Sequence, residues 1–178
     1  MLNSVFETFA EHYGIEGLVG VRAITHYAGR YFSPVYGYCE WKRGIQRASC
    51  AIGCTTVPGE QHQGCGFHAF WEPHEAKLFV EHIRGTETCL VLIECFGRVV
   101  MHERGLRAER ARIIAALDWD PRLIFSAWPA LAEHHELSMP LCAARAFDVP
   151  LIDDAIAESL IQSQRERALV AEPDQMTR

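Results

Sequence analysis

The residues best equipped for chemistry lie between Cys50 and His68. "ASCAIGC" carries Cys50 and Cys54, and "HQGCGFHAFW" carries His62, Cys65 and His68. Thiolates and imidazoles are the ligands of structural zinc, which takes four of them in a tetrahedron. Cys50, Cys54, His62 and Cys65 make such a set, with His68 as a replacement ligand, and "TTVPGEQHQG" has the Pro and Gly of a loop able to fold around an ion. On one strand, Cys50 and Cys54 would share a face about 13 Å apart, too far for a single ion. A turn at Gly53 removes that obstacle. The plainer expectation, placed first, is that "GCG" turns the chain ahead of a buried strand and the cysteines pack as small hydrophobes; the metal site is its rival. A third chemistry makes Cys65 a thiolate nucleophile with His68 or His102 as base, Gly64 and Gly66 letting backbone N–H groups reach an oxyanion. No Asn, Asp or Glu is obviously placed to orient either histidine.

A second group is basic. "RVVMHERGLRAERAR" holds five arginines against Glu103 and Glu109. With a helix from Arg107, Arg107 and Arg110 lie near one face and Arg104 on the turn before. Arg98, His102, Arg104, Arg107 and Arg110 then form a ligand-binding group for phosphate or carboxylate. The competing expectation is surface pairing with Glu103 and Glu109, each pair stabilising by roughly 0–1 kcal/mol.

The elements that must position these groups read as α+β. Capping-box spacing at Ser4 and Glu7, a stripe of Phe6, Phe9, Ala10 and Tyr13, and Gly14 predict a helix within residues 1–16. "GLVGVRAITHYA" alternates as a strand, with Val19, Val21, Ala23 and Thr25 on one face. The aromatic run "GRYFSPVYGYCEWKRG" predicts two short strands, and "IQRASCAI" another. "EPHEAKLFVEHIRG" predicts a helix with Pro73 in its first turn and Gly85 as its stop. "TCLVLIECFGRVVMHE" predicts a buried strand that turns or bulges at Gly97. "GLRAERARIIAALDWD" is ambiguous at its start and reads as helix from Ile113 to Leu117. The expected fold is a 17–118 core of mostly antiparallel short strands in a compact sheet or partial barrel. A helical extension, 119–178, follows: two short helices with Pro129 and Pro140 near their starts, then a third capped by Asp153 or Asp154, and a frayed end. "ALAEHHELSMPLCAARAF" has helix-turn-helix length, but its second helix, from Met139 or Pro140, exposes Arg145 and little else. A helical hairpin packed on the core is expected instead.

The chain has 178 residues, 49% hydrophobic and 22% charged, which suits one globular domain. Its formal net charge is -6, with eleven acidic and five basic residues from Ile113 onward, a balance that disfavours nucleic acid. No apolar run is long enough to span a bilayer and the N-terminus has no signal-peptide pattern. The seven cysteines, an odd number, are then expected to stay reduced in the cytoplasm.

"GVRAITHYAGRYFSPVYGYCEWKRGIQRASC", "GCGFHAFW" and "GRVVMHERGLRAERA" together resemble an uncharacterised family of small, largely actinobacterial proteins. Its pattern runs G-Y-R-A-W, C-x-C-G-I-Y-A and W-G-x-V-x-x-H-x-x-G-x-R-A-E-x-A. Gly97, Val99, His102, Gly105, Arg107, Ala108, Glu109 and Ala111 match the last block, while Gln63 stands where the family has the first Cys and His68 where it has Tyr. The resemblance spans about Gly17 to Leu117. It implies one compact cytoplasmic domain and brings no activity with it. The sequence therefore points first to a non-enzymatic ligand- or partner-binding module, meeting a protein or an anionic small molecule, with no cofactor expected and structural zinc as the one candidate its residues offer. The alternatives are a Cys/His- or zinc-dependent hydrolase and a DNA-associated regulator.

Overall fold

The computed structural model describes residues 14–34, 39–50, 53–54, 57–58, 65–83, 87–119 and 138–171. The elements run β1 (Leu18–Tyr27), β2 (Arg30–Phe32), β3 (Glu40–Trp41), β4 (Gln46–Arg47), β5 (Phe67–Phe70), α1 (Pro73–His82), β6 (Glu87–His102), β7 (Gly105–Leu117), α2 (Met139–Phe147), β8 (Leu151–Ile152) and α3 (Asp154–Ala171). The architecture is α+β, as expected, with a largely antiparallel sheet.

Four strands close a ring. β1 runs against β6 from Leu18 opposite Cys95 to His26 opposite Glu87. β6 turns back into β7 through Glu103 and Arg104, β7 pairs with β5, and β5 returns to β1 at Val21 opposite Phe70. That return requires a glycine beneath it. A Cβ on Gly20 would stand 2.7 Å from the Ala69 Cβ and 2.9 Å from the Phe70 carbonyl oxygen. β2 and β3 continue outward from β1, β4 lies on β7 at Ala111 and Arg110, and β8 joins β7 in parallel at Ala116 and Leu117. The expected irregularity at Gly97 is a bulge, a register shift between Phe96 and Val99.

Hydrophobic burial holds the layers together. Leu90, Val91, Leu92 and Ile93 are completely buried, each side chain contributing about 1.5–3 kcal/mol. α1 starts with Pro73 in its first turn, where no N–H is needed, buries Ala76 and Val80, and sets Phe79 on Phe70 with ring centroids 5.6 Å apart. α2 buries Met139, Ala143, Ala144 and Phe147 against β6 and β7. α3 buries Ala157, Leu160 and Ile161 and lies against β1. Of the two acidic residues that could cap α3, Asp153 does so: its Oδ1 accepts the Ile156 N–H at 2.9 Å.

One expected element is corrected. Ile113–Leu117 is not helical but the end of strand β7. It is flanked by β6 and β8 and buried throughout, so the two-residue alternation that marks a half-exposed strand is absent from its sequence. Residues 1–13, which carry the expected first helix, and the segment around Pro129, which carries the first half of the expected helical pair, lie outside the described residues. No described helix is long and apolar enough to cross a membrane.

Candidate metal centre and a neighbouring cleft

Cys50 and Cys54 follow β4, and Cys65 directly precedes the Gly66–Phe67 step into β5. The connection is pinned at its start by Ala48, whose N–H donates to the Glu109 carbonyl at 2.8 Å. The turn the sequence needed is present. The Gly53 N–H donates to the Cys50 carbonyl at 3.1 Å, and Gly53 has φ +75°, a region that suits glycine. Cys54 is thereby folded back beside Cys50 rather than extended away from it. The Sγ atoms of Cys50, Cys54 and Cys65 all lie within 4.8 Å of one another. Tetrahedral zinc with bonds of about 2.3 Å places its sulfurs about 3.8 Å apart, within reach of small side-chain rotations from this arrangement. No disulfide links any of the seven cysteines.

The thiols crowd one another electrostatically. The Cys54 thiol is pushed up to about 11, first by its hydrogen bond with Cys50, then by burial and by Cys65. The Cys54 thiol thus resists ionisation until a cation supplies the opposing charge, and coordination to a metal ion deprotonates thiols outright. Cys89 and Cys95 differ in kind: burial in the core pushes both thiols far up, and they pack as hydrophobes. Of the other proposed ligands, His62 lies outside the described residues and His68 faces elsewhere.

His68 lines an open cleft of about 430 Å³ with Phe70, His102, Glu103, Arg104 and Arg107. Of the expected arginine group, Arg104 and Arg107 come together there with His102, whereas Arg98 and Arg110 do not line it. The strand explains the separation. An offset of three places Arg107 and Arg110 on opposite faces of β7, not on one face as a helix would, and Arg107 is 5% exposed while Arg110 is exposed. Arg107 Nε donates to His102 Nε2 at 3.0 Å, and its Nη1 reaches the Cys65 carbonyl at 3.5 Å. Arg104 Nε donates to Glu75 at 2.8 Å. Glu109 accepts from Arg47 at 2.9 Å and from the Arg98 backbone N–H at 3.3 Å. The His68 ring is held neutral: burial, then Arg22, Arg107 and His102, lower its pKa to about 4. Its Nε2 is buried without a hydrogen-bond partner among the described residues.

Two charged residues escaped the reading of the sequence. Arg22 occupies β1 among apolar neighbours, where alternation suggested a solvent-facing side chain. Its guanidinium instead stacks over Trp41, 5.3 Å from the ring centroid, and donates to the His68 carbonyl and to Ser33 Oγ at 2.8 Å. Glu94 is completely buried in β6; its Oε2 accepts from Arg112 at 2.7 Å, and its Oε1 accepts the Glu16 and Gly17 N–H groups, each at 2.7 Å. The near-continuous apolar runs around both positions were the available signal that each strand is buried on two faces. Set against protein-family models, curated proteins and solved structures, the chain finds no match in any of the three.

Proposed function

We propose that this chain is a non-enzymatic binding module whose 50–65 connection is clasped by a structural zinc ion on Cys50, Cys54 and Cys65. The observation that carries the reading is the convergence of three thiols from separate points of one loop to within 4.8 Å. Thiolate-rich sites of this kind select zinc and other soft ions over magnesium or calcium. The loop leads directly into β5, so the ion's role is to fix the strand that closes the ring. A structural role also fits Cys65 better than nucleophilic attack. Its side chain is 3% exposed and gathered with two other thiols, and the group within that radius holds no described histidine. The reading requires a reducing compartment such as the cytoplasm, where thiols persist.

Elemental mass spectrometry on untagged protein tests it. One zinc per chain is expected, lost in Cys50→Ser and in Cys65→Ser. Wild-type protein purified under reducing conditions with zinc in the medium, yet free of metal, returns the cysteines to a packing role and sinks the reading. A single cysteine alkylating far faster than the rest at neutral pH would instead favour a thiol enzyme.

A further inference from the structure

We infer that the cleft formed by β5 and the β6–β7 hairpin is a binding site for the anionic group of a small molecule, a phosphate or a carboxylate. This names the ligand class of the binding module proposed above and rests on that reading.

The charge of the wall is the first ground. The chain as a whole is acidic, at -6, yet the cleft is lined by two guanidinium groups, Arg104 (paired with Glu75) and Arg107, and by the imidazoles of His68 and His102, with Glu103 as the one carboxylate in its lining. Behind the wall, Arg22 donates to the His68 carbonyl, and among the described residues no ion pair joins Arg22 to a carboxylate. A cation held in protein without a counter-ion leaves positive potential that a bound anion would offset.

Preorganisation is the second. Arg107 is nearly buried and tied to both the Cys65 carbonyl and His102 Nε2, so its guanidinium charge is held in place before any ligand arrives. Because a guanidinium can only donate, His102 Nε2 must be the acceptor, which leaves the His102 proton on Nδ1 as a further donor. Arg104 is held at the rim by Glu75. His68 Nε2 is a buried polar atom that nothing among the described residues satisfies, on a residue that lines the cleft.

Size and chemistry decide the class. A space of about 430 Å³ exceeds an inorganic oxyanion and accommodates an attached organic part, with Phe70 as an apolar wall. Two guanidinium groups repel a metal cation from the two imidazoles and match the oxygens of phosphate or carboxylate.

The test uses the full chain. Inorganic phosphate and acetate are titrated separately, at constant ionic strength, while side-chain nitrogen NMR follows the imidazoles of His68 and His102. Saturable shifts of both rings are expected, and the tighter probe identifies which oxyanion the site takes. Arg104→Gln, a rim variant that keeps the fold, should weaken the tighter probe about tenfold, since it removes one charge-assisted contact. Arg98→Gln and Arg110→Gln, outside the cleft, should leave it unchanged. Absence of a saturable shift with either probe overturns the inference, as does equal weakening by Arg104→Gln and Arg110→Gln. Zinc content measured on the same sample separates the two proposals. Binding without zinc refutes the clasp and keeps the cleft, whereas zinc without binding refutes the cleft and keeps the clasp.

Discussion

Replacing Glu94 with glutamine probes the one fully buried carboxylate among the described residues. Gln is isosteric and can still accept the Glu16 and Gly17 N–H groups through its oxygen. What it cannot do is neutralise Arg112, because its amide nitrogen would then face the guanidinium, donor against donor. Removing one partner of a buried ion pair typically costs about 3–5 kcal/mol. Arg112 is 30% exposed and also donates to the Gly14 carbonyl at 2.9 Å, so water and that bond recover part of the loss. A cost of about 3 kcal/mol is expected for Glu94→Gln. Glu94→Ala should cost more, since it also strips two backbone donors at roughly 1–3 kcal/mol each. Urea unfolding followed by circular dichroism gives these values by linear extrapolation, and an unchanged slope confirms that the native state is intact. The pair with Arg112→Met completes a double-mutant cycle, in which the double variant should cost clearly less than the sum of the singles. Additive losses, or a Glu94→Gln cost below about 1 kcal/mol, would refute the assignment of Glu94 as the charged tie between β6, β7 and the 14–17 segment.

Acid should weaken the fold through His68. Its folded-state pKa, about 4 against an ordinary 6.5, means that the unfolded chain takes the proton first, so stability is full above about pH 6.5 and falls as the pH drops toward 4. The full shift corresponds to about 3 kcal/mol, and partial exposure of the ring reduces the expected loss to about 2 kcal/mol; urea midpoints for wild type and His68→Gln that fall in parallel over this range would contradict it. Chelation should lower stability by about 3 kcal/mol, the loop-closure entropy released when the Cys50–Cys65 span is no longer cross-linked. Identical melting curves with and without chelator would refute that effect. Gly20→Ala should cost about 2 kcal/mol and lower Tm by roughly 4–8 °C, because its methyl group meets Ala69 and the Phe70 carbonyl where the ring closes. An unchanged Tm would mean that β5 does not cross β1 this closely.

Local signals in the sequence carried well where local physics decides. Pro73 marked the start of α1, Gly97 the bulge of β6, and Gly53 the turn that brings Cys50 and Cys54 together. They failed where burial removes the pattern. Ile113–Leu117, rich in alanine and isoleucine, reads as helix by itself, and only pairing with β6 and β8 makes it strand. That one misreading also merged Arg107 with Arg110, whose faces differ by half a turn of the pleat. Arg22 and Glu94 show the same blindness from the other side. A charged residue within an apolar strand finds its partner across the fold, as Arg22 does at Ser33 and His68 and Glu94 at Arg112, and no local pattern names that partner. His62, the fourth ligand expected from the sequence, lies outside the described residues. The positions of the three thiols follow from Gly53 and from where β5 begins.

β7 has a consequence for how the chain can be made. Along one edge it lies against β6; along the other it is shared by β4, β5 and β8, elements drawn from residue 46 to residue 152. A nascent chain that has cleared the ribosome only as far as Leu117 can form the β6–β7 hairpin and the ring, yet Ala116 and Leu117 still present bare backbone groups to solvent. Until Leu151 and Ile152 emerge and α3 follows, that stretch is an open edge able to recruit a strand from another chain. Ending this chain between Leu117 and Leu151 therefore exposes a template for aggregation at the end of β7.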